Sequence, residues 1–170
     1  MSLEAFKTRV LPAKNKLYRF ALRLLGDQEE AKDIVQEVMI RVWNKRDSLH
    51  MYQNMEAWCM QITKNLCYDK LKSKAHQTRV VLPDNWQIED NNTTPEKKAE
   101  IGDIMNQIHR FICTLPDKQK QVMQLRDIEG YSYKEIGEAL EIDINQVKVN
   151  LFRARKAIRE SLININAYGI

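Results

Sequence analysis

The sequence predicts an all-α protein, made of two small helical domains that are joined by a flexible linker. Three observations lead to this prediction. Of the 170 residues, 5 are glycine and 4 are proline, so few positions interrupt helices. No segment alternates apolar and polar residues over the length of a strand. Apolar residues instead recur every three or four positions, in segments that begin with helix-capping side chains.

The first predicted domain, residues 1–72, contains three helical segments by the spacing of its apolar residues: residues 4–25, 27–45 and 55–72. Pro12 divides or kinks the first segment, because proline lacks the amide hydrogen that a helix needs. Gly26 separates the first segment from the second. Asp27, followed three residues later by Glu30, is typical of a helix start. The residues between the second and third segments are predicted to form a loop.

Residues 73–100 differ in composition from the rest of the chain. They contain two of the four prolines and an Asp-Asn-Asn-Thr-Thr run, and they show little periodicity. This composition predicts a flexible linker. The second domain, residues 101–170, begins where helical spacing resumes. Within it Pro116 and Asp117 open another helix, and Gly130 is suited to end it.

The last forty residues predict two helices around a tight turn, with a capping signal before each. Ser132 and Glu135 have the spacing of a capping box, and Asp143 with Gln146 repeats this arrangement. Beyond the second cap, one apolar stripe follows the helical period: Val147, Leu151, Ala154, Ile158 and Leu162. This is the layout of a helix-turn-helix, in which the second helix enters a DNA major groove.

A basic face on the last helix supports DNA binding. The formal net charge of the chain is +4, but residues 144–162 hold five cations against the single acid Glu160. Phe152 lies among these cations and off the apolar stripe, where it suits contact with a thymine methyl group. A solvated basic face is the alternative interpretation. The cations are Lys148, Arg153, Arg155, Lys156 and Arg159.

The sequence argues against several other classes of protein. No apolar run reaches the length that crosses a bilayer, and the N-terminus lacks the apolar region of a signal peptide, so we expect a cytoplasmic protein without direct membrane insertion. The three cysteines show no paired spacing, which favours free thiols. His109 and Cys113 supply at most half of a zinc site, and we predict neither a metal nor a cofactor. No catalytic constellation is present in the sequence, so we expect no enzyme.

A second candidate nucleic-acid site lies in the first domain. Aromatic, cationic and amide side chains alternate between positions 52 and 72, as suits single-stranded DNA. Trp58 favours a core role by its helical spacing from Ile62, and Tyr68 suits either role. The residues that define this segment are Tyr52, Trp58, Lys64, Asn65, Tyr68, Lys70 and Lys72.

Three sets of motifs add a family resemblance to this interpretation. The first is DIVQEV at 33–38, followed by RVW at 41–43. The second is AW at 57–58, NL at 65–66 and DKL at 69–71. The third is LP at 115–116, RD at 126–127, EG at 129–130, SY at 132–133, EI at 135–136, VK at 147–148 and RAR at 153–155. In their order and spacing these motifs resemble bacterial alternative sigma factors of the extracytoplasmic-function (ECF) group, over nearly the whole chain.

The resemblance implies that the first domain is sigma region 2 and the second is region 4. Such a protein directs core RNA polymerase to promoters and helps to melt them. Asp33, Gln36 and Glu37 would bind the β′ clamp helices, and region 4 would meet the β flap. A solvated polar face is the alternative for these three residues. The −10 promoter element would be recognised as a single strand by Tyr52, Lys64, Asn65 and Lys70, although Asn65 also suits a helix-capping amide.

The resemblance also implies that region 4 binds the −35 duplex. Its expected contacts are Tyr133, Gln146, Lys148, Val149, Phe152, Arg153, Arg155 and Lys156. Arg155 and Lys156 would pair with phosphates, whereas Tyr133 suits either the DNA backbone or packing. The chain departs from the family pattern at Gln146, Val149 and Asn150, so no −35 sequence can be transferred. Gln61 stands where the family commonly has arginine, and Glu141 replaces a frequent turn glycine.

Two further expectations follow from the resemblance. An anti-sigma factor would control the protein, and it would hold the otherwise cytoplasmic chain at the inner membrane if it is itself a membrane protein. The rival interpretation is a stand-alone helix-turn-helix regulator, which would bind duplex DNA tightly without polymerase, usually as a dimer.

Overall fold

The computed structural model describes residues 3–75 and 95–167, and these residues form α-helices joined by short turns. The side chains of residues 95–101 and 165–167 are outside this description. The described α-helices are α1 (Leu3–Arg9), α2 (Lys14–Leu25), α3 (Gln28–Asn44), α4 (Met55–Lys74), α5 (Pro95–Thr114), α6 (Asp117–Met123), α7 (Tyr133–Leu140) and α8 (Ile144–Ala167). The described part contains no strand, and the all-α prediction is confirmed.

The predicted helix boundaries of the first domain follow from its capping residues. Pro12 lies in a 3₁₀ turn, Leu11–Ala13, which divides the predicted first segment into α1 and α2. Gly26 ends α2 with a φ of 69°, a left-handed conformation that glycine adopts without steric cost. Asp27 caps α3 by accepting a hydrogen bond of 2.9 Å from the amide of Glu30.

Some predicted boundaries were wrong by several residues. The predicted loop between α3 and α4 contains a 3₁₀ helix, Arg46–Met51. Helix α4 continues to Lys74, and α5 already begins at Pro95, so both ends of the predicted linker 73–100 are helical. The rest of that linker, residues 76–94, lies outside the described residues.

The helix-turn-helix contains both predicted caps. The side chain of Ser132 accepts from the amide of Glu135 at 3.1 Å, and the Glu135 carboxylate accepts from the Ser132 amide at 2.7 Å. Asp143 likewise accepts from the amide of Gln146 at 2.9 Å at the start of α8. Glu141, which ends α7, has a φ of 57°, the left-handed conformation for which the family's glycine is suited.

A π-helical segment, Gln124–Ile128, follows α6 without a break. It is closed by a hydrogen bond of 3.0 Å from the amide of Glu129 to the carbonyl of Gln124, five residues earlier. This turn holds one residue more than an α-helical turn does. Such π-helical turns are frequent at functional sites in helices. The segment ends at Gly130, whose φ of 76° turns the chain toward α7.

The two predicted domains pack against each other. Helix α7 lies on α4, and the buried residues of both halves form one hydrophobic cluster. Leu17 and Phe20 of α2 belong to this cluster, as do Ile136 and Leu140 of α7, and all four are at most 1% exposed. A smaller cluster around Ile112 joins α5 to α8. The helix-turn-helix therefore contributes to the same core as the N-terminal helices.

Candidate nucleic-acid interfaces

The last helix, α8, presents an exposed mixed face opposite a fully buried stripe. Val147, Leu151 and Ala154 are at most 2% exposed, and they fix the helix on the core. On the outer face, Phe152 is 69% exposed and Val149 is 45% exposed. The predicted contacts Lys148, Arg153 and Lys156 are also exposed. A large aromatic ring in water among cations has no packing role here, so this face is available for a partner.

Several other predicted −35 residues have partners within the protein. Gln146 is exposed but lies in the cap of α8, and its carbonyl accepts from the Asn150 side chain at 2.8 Å. Tyr133 is half-buried, and the Arg126 guanidinium lies 4.9 Å from its ring centroid. Tyr133 therefore packs within the domain at the start of α7.

Arg155 forms an ion pair with Asp127, at the end of the π-helical segment. Its Nε donates to Oδ2 of Asp127 at 3.0 Å and its Nη2 donates to Oδ1 at 2.5 Å. The hydrogen bonds from Arg155 to this carboxylate raise the pKa of the guanidinium further above its ordinary value. This partner of Arg155 was not predicted, because 28 residues of sequence separate the two side chains.

The predicted −10 face of α4 is partly covered by α7. Lys64 is 7% exposed, and its Nζ donates to the Glu141 carboxylate at 2.9 Å and to the Leu140 carbonyl at 3.5 Å. Asn65, the next residue, is exposed, and Lys70 is half-buried. Because α7 covers Lys64 and leaves Asn65 exposed, these two residues differ in accessibility, although the sequence predicted that they act together.

An aromatic stack lies at the start of α4. The rings of Tyr52 and Trp58 are 4.2 Å apart at an interplanar angle of 22°. Trp58 also lines a cavity of about 270 Å³ with Arg41, Lys45, Asn44 and Ile62. Trp58 was predicted to lie in the core, and the cations that line this cavity beside it were not predicted. The four-residue step from Arg41 to Lys45 was the available signal, because it places both cations on one side at the end of α3.

The predicted polymerase-binding residues lie on the outer face of α3. Asp33 and Gln36 are exposed, and the half-buried Glu37 accepts a hydrogen bond of 2.6 Å from Arg41. Beside them, a groove of about 660 Å³ between α2 and α3 is lined in part by Met39 and Ile40. The three predicted residues share one face, as their spacing required.

Polar contacts join the two domains across their interface. Arg19 of α2 donates to both oxygens of the buried Glu129 carboxylate, at 2.8 and 2.7 Å. Asn54, which caps α4, donates to Glu135 of the α7 capping box at 3.1 Å. These contacts link the start of α4 and the side of α2 to the segment around α7.

His109 takes part in the same interface. Its Nδ1 lies 2.7 Å from Nη2 of Arg23, and Nε of Arg23 donates to Oε1 of the buried Gln124 at 3.1 Å. Burial, together with the positive charge of Arg23, lowers the pKa of His109 to about 4. The imidazole is therefore neutral at physiological pH.

Among the described residues, no three histidine, cysteine or acidic side chains lie close enough to hold a metal ion. Burial raises the pKa of the Cys59 and Cys67 thiols to about 12, so both remain protonated. Within the described ranges, no helix has the length and apolar character needed to span a membrane.

Comparison with known proteins identifies two family models along the chain. "Sigma-70 region 2" matches residues 11–77, and "Sigma-70, region 4" matches residues 105–158. The chain is 32% identical over 174 residues to the ECF RNA polymerase sigma factor SigW of Bacillus subtilis, and the match covers 94% of this chain and 89% of SigW.

Two further proteins extend this comparison. The ECF RNA polymerase sigma factor SigE of Mycolicibacterium smegmatis is 30% identical, over 87% of this chain and 58% of that relative's length. The sigma factor RpoE of Bartonella quintana, solved in complex with the anti-sigma factor NepR, shares the fold with a TM-score of 0.77 at 21% identity. That likeness covers 94% of this chain and 98% of RpoE.

Proposed function

The chain belongs to the ECF RNA polymerase sigma factors, and from this membership we propose which of its surfaces bind promoter DNA and core RNA polymerase. As an alternative sigma factor it acts in transcription initiation. We propose that it supplies recognition and no catalysis of its own. The stand-alone regulator is not favoured, because sigma-70 models match both halves of the chain.

The exposed face of α8 is proposed to bind the −35 duplex in the major groove. One observation carries this proposal: Phe152, Lys148 and Arg153 are exposed on a helix whose opposite side is buried. Val149 and Gln146 flank the base-contacting set, and Lys156 is placed to meet a phosphate. Arg155 is left out of this set because of its ion pair with Asp127.

The start of α4 is proposed to bind the −10 element as a single strand. The Tyr52–Trp58 stack and the neighbouring cavity combine aromatic rings with the cations Arg41 and Lys45. An unstacked base suits such a site, since its ring stacks while the strand's phosphates meet cations. Asn65 and Lys70 extend this surface along α4. Lys64 can join it only after α7 moves away from α4.

The outer face of α3 is proposed to bind the β′ clamp helices of core polymerase. Asp33 and Gln36 are exposed there, next to the groove that Met39 and Ile40 line. Region 4 is proposed to meet the β flap. We also propose control by an anti-sigma factor, since the RpoE structure contains one. The protein would then work in the cytoplasm, at the inner membrane where the inhibitor is membrane-bound.

Run-off transcription with core polymerase from the source organism and a genomic template library tests the function. Promoter-dependent products are expected with the unaltered chain. Phe152→Ala and Arg153→Ala should each reduce them by roughly tenfold, because a base contact contributes about 1–3 kcal/mol. Arg110→Ala, which removes an exposed arginine of α5 outside the proposed face, is the matched control. Absence of both product and core binding for the unaltered chain would contradict the proposal.

A further inference from the structure

Arg155 differs from the other cations on the exposed side of α8. Lys148 and Arg153 make no ion pair within the described residues, whereas Arg155 makes a bidentate one with Asp127. The side chains of Arg155 and Asp127 are 46% and 32% exposed, so the pair lies at the surface. The guanidinium presents its planar edge to the carboxylate, a geometry that restricts the relative orientation of the two groups.

The position of Asp127 gives the pair its significance. Asp127 belongs to the π-helical segment that precedes α7, and it reaches across 28 residues of sequence to α8. Its neighbour Arg126 donates to the carbonyl of Tyr131 at 2.7 Å and lies over the ring of Tyr133 at the start of α7. Two consecutive side chains of one segment therefore hold the two helices of the helix-turn-helix.

The charge of Asp127 also bears on DNA binding. A carboxylate beside Arg155 neutralises the guanidinium and repels a phosphate that approaches it. A phosphate contact by Arg155 would require the bidentate pair to break. Lys148 and Arg153, which make no ion pair within the described part of the chain, do not carry this cost.

We propose that Asp127 and Arg155 form a positioning pair that sets the orientation of α8 relative to α7, and that Arg155 does not contact a DNA phosphate. The proposal rests on the proposed reading of the −35 duplex by α8. It changes the role that the sequence predicted for Arg155, from a phosphate contact to a positioning residue.

The salt dependence of promoter binding by the holoenzyme distinguishes the two roles. Loss of one phosphate contact lowers the slope of log affinity against log salt concentration by about 1. Arg155→Ala should leave this slope unchanged, while discrimination between the promoter and a −35-altered duplex falls roughly two- to fivefold. Lys156→Ala is the control that should lower the slope, because Lys156 has only a long, exposed ion pair of 4.0 Å with Glu160. A lower slope with Arg155→Ala would overturn the proposal.

Substitution of Asp127 should have opposite effects on promoter binding, depending on whether Asp127 positions Arg155 or only withholds it from DNA. For a positioning pair, Asp127→Ala and Asp127→Asn should weaken discrimination as Arg155→Ala does, and the double variant should be no worse than either single one. If Asp127 merely withholds Arg155 from DNA, its loss should instead tighten binding and steepen the salt slope, which would refute the proposal. The exchanged pair, Asp127→Arg with Arg155→Asp, should recover discrimination.

Thermal denaturation of the free chain separates this inference from the proposed function. If the unaltered chain yields no promoter-dependent product, the proposed function fails, yet the pair is still testable. The melting temperatures of the single and double variants should be non-additive, because each single variant already removes the whole interaction. Additive shifts would contradict the pair whatever the protein binds.

Discussion

The two proposed DNA-binding faces differ in their accessibility. On α8, Lys148 is exposed beside Phe152, which is 69% exposed, so the −35 face is open to a partner. On α4, Lys64 is 7% exposed beneath Glu141 and the end of α7. Both lysines lie on helices whose sequences combine cationic with aromatic residues. The packing of one domain on the other, and not the helix itself, decides which of the two lysines is exposed.

The two faces therefore differ in whether the two domains must separate before the face is fully exposed. The α8 face that we propose for the −35 duplex is exposed without any rearrangement of the described residues. The α4 face is complete only when the contacts between α7 and α4 are broken, among them Lys64–Glu141 and Asn54–Glu135.

Loss of Arg19 should have the largest effect, because it leaves the Glu129 carboxylate, 1% exposed, without its charged partner. We expect Arg19→Met to lower the free energy of unfolding by about 3 kcal/mol and to promote separation of the domains. Thermal denaturation and energy transfer between labels on α3 and α8 measure the two effects. Lys7→Met, which removes an exposed pair within α1, is the control. An unchanged distance between the labels would contradict the role of this contact.

Gly137→Ala should disturb the turn that covers Lys64. A Cβ at this position would lie 2.9 Å from the backbone carbonyl of Ile142, which cannot move without displacing the turn. We expect destabilisation of about 1–3 kcal/mol by thermal denaturation. Gly102→Ala is the matched control, since nothing lies within 4 Å of its added Cβ, and it should be neutral or stabilising. Equal effects of the two substitutions would argue against a tight turn.

Acidification should weaken the interface through His109. Its pKa is about 4 in the folded chain, below the ordinary value of about 6.5, so the unfolded chain binds the additional proton between these values. Stability should therefore fall as the pH is lowered from 6.5 to 4, by about 1 kcal/mol after allowance for partial exposure. His109→Gln should flatten this part of the pH profile, whereas the exposed His50→Gln should not. Identical profiles for all three proteins would contradict this assignment.

Glu141→Gln should have the smallest effect on stability, because a partly exposed ion pair contributes at most about 1 kcal/mol. Its effect on accessibility should be clearer. In the unaltered chain we expect amine acetylation to be slow at Lys64 and fast at Lys148. The substitution should accelerate the reaction at Lys64 and leave Lys148 unchanged, as mass spectrometry would show. Fast reaction of Lys64 in the unaltered chain would contradict its burial.

Local features of the structure could be predicted from the sequence. The caps at Asp27, Ser132 and Asp143 each depend on a partner three residues away, so the pattern alone indicates them. Phe152 was predicted to be exposed because it lies off the apolar stripe. Such features depend on helical periodicity, which can be recognised within a short stretch of sequence.

Features that depend on distant residues could not be predicted. The burial of Lys64 requires Glu141, which is 77 residues away, and the burial of Glu129 involves Arg19, which is 110 residues away. Asp127 pairs with Arg155 across 28 residues. No periodicity relates such positions, because their contacts arise only when the two domains dock. The roles of the site residues remain predictions for the same reason.

The π-helical segment lets the chain hold one residue more than a regular helix over the same turn. An α-helix turns by about 100° for each residue, so one more residue wound as α-helix would rotate everything after it by that angle. The wider turn of Gln124–Ile128 absorbs this rotation, and Glu129 still faces Arg19 while Asp127 still faces Arg155. Both contacts therefore stay in phase with α6 although the chain between them is one residue longer than a regular helix.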